Sequence, residues 1–492
     1  LTLADPRRRA TAMLVALALS AAVVLTEVGG EIARRPALAA VGVVAGAVVV
    51  VALALLLRRA PSALPLLVVG ALPFRVPLPV GGGTASLLVP LYVVIAAGCL
   101  ATAAGWLGPR HELPPDRWRR RLELALAAVL VLYALQALSS TDPGQAVRNV
   151  ALFYAPFALL FRLVLDVPWS RRLVLGALGV AAGLALVFAA VGYVEYATRH
   201  LLLFNPKVMA ANEVKPYFRV NSLFFDPNMY GRFLALTMVG LTGALLWSRR
   251  ARDAGLLAAA LLALWGGLVL SLSQSSFAAL LLGLAVLAAL RWRALPVVLA
   301  VVVAGAAAVG LVAVAPQALR LDPTSERSLD RATSGRVDLV QGGVAMFRDR
   351  PVLGFGSGSF AERYRAREGV TSATGAAASH TIPLTVAAEQ GVVGFVAYLA
   401  LLWATLGLAF ARLRRALRRD PDGVVPVARA ALAAMLLALV LHTLVYAAFL
   451  EDPATWALLA LAAALRGVPP EPGPAVPAAV PPAAEPVPAP VL

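Results

Sequence analysis

Apolar runs about 20 residues long recur along most of the chain, most of them closed by arginines or by a Gly/Pro turn. A helix needs about 20 residues at 1.5 Å each to cross the roughly 30 Å hydrocarbon core of a bilayer. Inside lipid the backbone must satisfy its own hydrogen bonds, so such runs fold as helices packed on helices. Candidate crossings fall near 10–28, 37–57, 62–80, 85–106, 122–138, 148–165, 173–195, 229–248, 254–271, 274–290, 294–315, 382–410, 427–448 and 453–466. The third is interrupted by Pro65, Pro73, Arg75, Pro77 and Pro79, and the last is short. The expected fold is an all-α polytopic membrane protein, a bundle of about 12–14 transmembrane helices with one large outward-facing loop containing short helices. The first run reads as a retained span rather than a cleaved signal, because more spans follow it and no clear small-residue cleavage site ends it.

Of the 492 residues, 60% are hydrophobic and 14% charged, against about 45–50% and about 25% in soluble domains. This excludes a soluble multidomain enzyme, a disordered chain and a fibrous one. The 43 Lys and Arg against 26 Asp and Glu give +17. On a chain this apolar the excess marks the cytoplasmic ends of spans rather than a nucleic-acid surface. Membrane lipids are therefore expected partners and nucleic acid is not. Cys99 is the single cysteine, which leaves no internal disulfide, and no Cys/His cluster has metal-ligand spacing.

The connecting segments alternate in charge. One set holds Arg7, Arg8 and Arg9; Arg58 and Arg59; Arg110, Arg117, Arg119, Arg120 and Arg121; Arg162, Arg171 and Arg172; Arg249, Arg250 and Arg252; Arg291 and Arg293; Arg412, Arg414, Arg415, Arg418, Arg419 and Arg429; and Arg466, whereas the short segments of the other set hold only Arg34, Arg35, Arg75 and Arg148. The positive-inside rule assigns the first set, and both termini, to the cytoplasm of a cytoplasmic (inner) membrane. Two longer segments, 196–232 and 316–381, then face outward. Four clear runs separate them, so an error in the upstream count leaves both on one side. Residues 1–195 read as an N-terminal helical region and 196–467 as a second region containing the loop 316–381. Residues 468–492, rich in Pro and Ala, read as a disordered cytoplasmic tail.

Ionisable residues are scarce within the spans. Glu389 and His442 are the clear cases, and Glu195 sits at an outer end. A midplane charge relay of the kind that marks ion-coupled transport is missing. Polarity concentrates in the two outward segments. In the first, Asp226-Pro227 has the form of a helix cap with Pro at the first helical position, followed by Asn228. Arg219 sits among Tyr217, Phe218, Phe224 and Phe225, at the depth where aromatics anchor to an interface. It reads either as an anion-binding group or as a guanidinium snorkelling to lipid head groups.

In the second segment, Ser334-Gly335-Arg336 opens an amphipathic helix with Val337, Val340, Val344 and Phe347 at helical spacing. A cation in a first turn opposes the helix dipole unless an anion is bound there; the alternative is a solvated Arg336. The run Leu353-Gly354-Phe355-Gly356-Ser357-Gly358 suits a turn, or a nest of N–H groups for an anion. His380 ends a Gly/Ala/Ser stretch just before a span. An imidazole there can accept a proton from a hydroxyl, although an interfacial His is more often structural. Glu389 follows nine residues later, about 13–14 Å along a straight helix, so it is expected to pair with another element rather than with His380.

Three stretches together resemble the bacterial O-antigen ligase and O-antigen polymerase family. They are Arg219-Val220-Asn221-Ser222-Leu223; Ser334-Gly335-Arg336 leading through Asp349-Arg350-Pro351 to Gly356; and His380-Thr381, nine residues, then Gly391-Val392-Val393-Gly394. The likeness runs over about 200–411. Thr381 replaces the more usual Asn, Ser or Gln, and the span count exceeds the twelve expected of the ligases. The resemblance implies a glycosyltransferase without cofactor or metal. Its donor would be a glycan on undecaprenyl diphosphate and its acceptor a glycan or lipid. Arg219 and Arg336 would hold the diphosphate, His380 would act as general base at the periplasmic or extracellular face, and Glu389, Asn228 and Tyr217 would stand as supporting positions. Within the same chemistry a polymerase of O-antigen or exopolysaccharide differs only in acceptor. A lipid-linked sugar exporter is the competing class, and it calls for polar lining through both leaflets, which this sequence lacks.

Overall fold

The computed structural model describes residues 6–27, 36–80, 83–107, 116–203, 205–214, 217–292, 336–369, 381–444 and 449–468, with isolated positions at 33 and between 294 and 303. The chain is an all-α polytopic membrane protein. Its helices are α1 (Pro6–Glu27), α2 (Pro36–Arg59), α3 (Ala63–Ala71), α4 (Val89–Ala103), α5 (Arg117–Ala137), α6 (Pro143–Asn149), α7 (Ala155–Leu165), α8 (Arg171–Thr198) and α9 (Pro206–Val214). Then follow α10 (Pro227–Leu246), α11 (Ala251–Ser271), α12 (Gln274–Arg291), α13 (Arg336–Asp349), α14 (Phe360–Glu368), α15 (Ile382–Phe410), α16 (Leu413–Arg419), α17 (Val424–Thr443) and α18 (Pro453–Leu465). Eight helical segments among the described residues are long and apolar enough to cross a membrane. The apolar helices Ala10–Thr26, Val89–Ala103 and Pro453–Leu465 are shorter.

Two expected crossings take another form. The run 62–80 is not one helix: α3 stops at Ala71, and Val76–Val80 forms strand β1. Pro73, Pro77 and Pro79 cannot donate to a helix ladder, so the apolar run breaks where they begin. The run 85–106 starts as strand β2 (Gly83–Leu87), antiparallel to β1 with Val76 opposite Leu87, and becomes helical only at Val89. The candidate span 294–315 and the tail beyond residue 468 lie outside the described residues, apart from isolated positions in the former.

Between α6 and α7, Val150–Tyr154 forms a π-helical turn just before Pro156. Pro156 has no N–H, so the carbonyl of Leu152 lacks its helical donor. The Tyr92 hydroxyl donates to that carbonyl at 2.5 Å, which ties α4 to this break.

Helix α10 is central, with α8, α11, α12 and α17 packed around it. Small residues permit the closeness: a Cβ on Gly243 would stand 3.0 Å from Ala431, and one on Gly283 2.5 Å from Val239. Helix α2 is peripheral and exposes Val41, Val44 and Val48, as a lipid-facing helix does.

The two ends of the bundle differ. At one, Asp116 caps α5, accepting the N–H groups of Trp118 and Arg119. Arg466 reaches Asp116 at 2.6 Å and donates to the carbonyls of Leu408 and Ala411 at the end of α15. At this end Arg249 pairs with Asp422, and Arg121 lies 4.8 Å from the ring centroids of both Trp118 and Trp403. The other end collects the termini of α8, α10, α11, α12, α15 and α17 that carry hydroxyls, amides and carboxylates, and it holds the candidate site.

Candidate functional site

Arg219 lies in the extended stretch before α10. Its backbone is fixed by Asn212, whose side chain donates to the Arg219 carbonyl at 3.0 Å and accepts its N–H at 2.9 Å. Its Nε donates to the carbonyl of Ser271, the last residue of α11, at 3.0 Å, and an Nη donates to Asn228 Oδ1 at 3.3 Å. Burial lowers its pKa from the ordinary value, and the nearby Asp226 and Tyr217 oppose that shift. A partly dehydrated guanidinium, already aimed by two bonds, is suited to an anion. Asp226 caps α10, as the sequence predicts, accepting the Asn228 N–H at 2.6 Å. Asn228 therefore sits where both Arg219 and Ser273 Oγ, at 3.0 Å, can reach its carbonyl oxygen. Tyr217 is 43% exposed beside this group.

Glu195 shapes the stretch after Arg219. Its fully buried carboxylate accepts three backbone N–H groups, from Leu202 at 2.9 Å, Asn221 at 3.2 Å and Ser222 at 2.7 Å. Ser222 has φ +51, a conformation costly for an L-residue, and its hydroxyl is tied to the Phe188 carbonyl at 2.8 Å. Three donors converging on one carboxylate hold the backbone there. The sequence marks Glu195 only by its position at a span end, because its partners lie 7 to 27 residues away.

Polar contacts continue inward. Ser273 meets Ser275 and Ser276 at 3.3 and 2.8 Å, and the Ser275 hydroxyl lies 3.2 Å from His442 Nε2. Beneath them Arg232 pairs with Asp452 at 2.8 Å, each side chain 7% exposed. Sequence reading missed this pair, because Arg232 and Asp452 stand on α10 and just before α18, far apart along the chain.

Arg336 is the first residue of α13, so the predicted helix start holds. The packed face differs from expectation. Leu339 and Met346 are buried, and Gly342 and Gly343 lie against Tyr364 and Leu384, whereas Val340 is 38% exposed. The bulky partner side chains fill the space that the two glycines leave. His380 lies outside the described residues. Thr381, next to it, occupies the N-cap position of α15, where its carbonyl accepts the Thr385 N–H at 3.1 Å.

The glycine run after α13 does form a nest, but Glu389 occupies it. Glu389 Oε2 accepts the Gly358 N–H at 2.9 Å and Oε1 accepts that of Phe360 at 3.0 Å. The same loop is pinned by Gln136, Ser140 and Thr141: Gln136 donates to the Leu353 carbonyl, Ser140 to that of Ser357, and the Thr141 N–H to that of Phe355. At Gly391, φ 62 and ψ −160 break α15. The break frees the Glu389 carbonyl for the Gly356 N–H at 2.7 Å, and the Val392 N–H for the Pro351 carbonyl at 2.8 Å. A Cβ on Gly391 would lie 2.3 Å from the Val352 oxygen. Gly391 thus serves as the seat of the loop.

The site therefore gathers, at one end of the bundle, Arg219 with Asn228, the start of α15 with Glu389, and the loop pinned to it. Residues 258–399 match a family model described as O-antigen ligase. This stretch is an O-antigen ligase family domain. It runs from within α11 through α13 and α14 to mid-α15, and so contains Arg336, His380 and Glu389, while Arg219, Asn228 and Tyr217 precede it. No curated protein matches the chain. The ligase-family domain on a many-helix membrane scaffold makes the chain a glycosyltransferase-like membrane enzyme.

Proposed function

We propose that the chain is an O-antigen ligase-type glycosyltransferase. It moves a glycan from undecaprenyl diphosphate to an acceptor hydroxyl at the outer face of the cytoplasmic membrane. The ligase-family domain supports a lipid-linked glycan as substrate. The observation that carries the finer reading is Arg219, a partly buried guanidinium aimed by Ser271 and Asn228 at the end of the bundle opposite the arginine-rich one. The positive-inside rule puts the arginine-rich end in the cytoplasm, and both termini with it.

In this reading Arg219 and Arg336 hold the donor diphosphate. As the anomeric C–O bond breaks, the electron pair passes to the diphosphate oxygen, and fixed guanidinium groups stabilise the growing charge. The acceptor oxygen forms the new bond to the anomeric carbon while its proton passes to His380. A single displacement from the side opposite the diphosphate inverts the anomeric centre. Glu389 and Asn228 act by support: one holds the loop that follows α13, the other aims Arg219.

The test is incubation of the purified full chain with a defined undecaprenyl-diphosphate glycan and candidate acceptors, with products identified by mass. The expected product is the acceptor enlarged by the glycan, with undecaprenyl diphosphate released. Two repeat units joined on one carrier would identify a polymerase instead. Donor left intact with every acceptor would overturn the reading.

A further inference from the structure

The segment joining α13 to α14 belongs to the large polar loop by sequence, yet its turn presents apolar side chains outward. Val352 is 63% exposed and Leu353 62%. The turn is fastened to α15, since Val392 and Val393 donate to the carbonyls of Pro351 and Val352 at 2.8 and 3.4 Å. From there Val392, Val396, Leu399 and Trp403 are exposed at spacings of four, three and four, which is one face of a helix. In a chain that crosses a bilayer such a stripe meets acyl chains. Val352 and Leu353 extend that stripe toward this end of the bundle.

Two guanidinium groups flank the same turn. Arg350 lies 4.8 Å and Arg363 5.1 Å from the ring centroid of Phe355. Asp349, beside Arg350 in sequence, is engaged by Arg367 at 2.6 Å. Arg363 Nε is buried without a hydrogen-bond partner among the described residues. A phospholipid offers what this arrangement lacks, acyl chains beside the two apolar side chains and a phosphate at head-group level for the guanidiniums. A soluble anion would satisfy only the second demand.

We propose that Pro351–Phe355 is a membrane-seated anchor: Val352 and Leu353 enter the acyl region, and Arg350 and Arg363, stacked on Phe355, bind the phosphate of an anionic phospholipid. This inference does not rest on the proposed transfer reaction, although the turn belongs to the loop that Glu389 holds.

The full chain in lipid nanodiscs tests both halves. Val352→Cys carries an environment-sensitive fluorophore, with unsubstituted protein as background because Cys99 is fully buried. Quenching by lipid-borne nitroxides and protection from iodide are expected; quenching by iodide alone would overturn the anchor. For the head group, wild-type protein should retain phosphatidylglycerol over phosphatidylcholine in native mass spectrometry. Arg350→Gln with Arg363→Gln should lower that ratio by about threefold or more. An unchanged ratio overturns the head-group assignment. Loss of the phosphatidylglycerol to an equal mole fraction of undecaprenyl phosphate, or to inorganic phosphate, also overturns it by assigning the pair to another anion. Val352 is exposed, and Arg363 is only partly buried, so gel filtration and the thermal unfolding midpoint check that each variant is folded before its lipid contacts are compared.

Discussion

Glu389 Oε2 accepts the backbone N–H of Gly358 at 2.9 Å, and that bond joins a membrane-spanning helix to the loop between α14 and α13. With the Phe360 N–H on Oε1, one carboxylate satisfies two buried donors. Removing it leaves both without acceptors, at about 1–3 kcal/mol each. Glu389→Ala should therefore lower the thermal unfolding midpoint and expose the 351–358 turn to protease. Glu389→Gln keeps one acceptor and should lose about half as much. Equal midpoints for all three proteins would show that the nest stands without the carboxylate.

Gly391→Ala should cost more than an ordinary helix substitution. Its φ of +62 with ψ of −160 is a conformation essentially confined to glycine and costs an L-residue about 1–3 kcal/mol, and the new Cβ would collide with the Val352 carbonyl. Gly42→Ala is the control, because nothing lies within 4 Å of a Cβ there. Thermal unfolding should separate the two, with the Gly42 variant at or slightly above wild type.

Arg219→Ala should reduce glycan transfer by about 10²-fold or more, the scale of losing one preorganised group that stabilises developing negative charge. Arg219→Lys keeps the charge but cannot contact Ser271 and Asn228 with one planar fork, so it should recover only part of the rate. Turnover of a defined donor at saturating acceptor measures both. Wild-type turnover in the alanine variant removes Arg219 from the donor site.

His380→Ala should reduce transfer by about 10²–10⁴-fold, the usual worth of general-base catalysis. The variant should still elute as folded protein and still bind donor. Full activity would assign the proton to another group.

Breaking the Arg232–Asp452 pair should destabilise the fold more than removing it. Asp452→Ala removes the carboxylate that faces the buried Arg232 guanidinium, at about 3–5 kcal/mol, whereas Arg232→Met with Asp452→Leu should recover much of that loss. Denaturation in detergent compares the three variants.

The parts of this molecule that sequence exposes are those set by local rules. Apolar run length gives most of the helices, and Asp226-Pro227 gives the start of α10. The start of α13 at Arg336 is equally local. What stays hidden is set by partners distant in sequence. Nothing near Glu195 announces that its carboxylate organises the backbone after Arg219. The run 62–80 has the hydropathy of a crossing, yet its prolines deny it a helix ladder. The glycine run looks like a place for a foreign anion until the fold brings Glu389 to it.

The prolines of β1 have one more effect. Pro77 and Pro79 share a parity in the strand, and the register places them opposite Ser86 and Thr84. Their missing N–H groups fall on the edge turned away from β2, since alternate residues donate in opposite directions. That outer edge has carbonyls but lacks two of the donors another strand would need. The hairpin follows α3 and precedes α4 in the chain, and the two prolines that interrupt a span by sequence make its outer edge a poor template for a further strand.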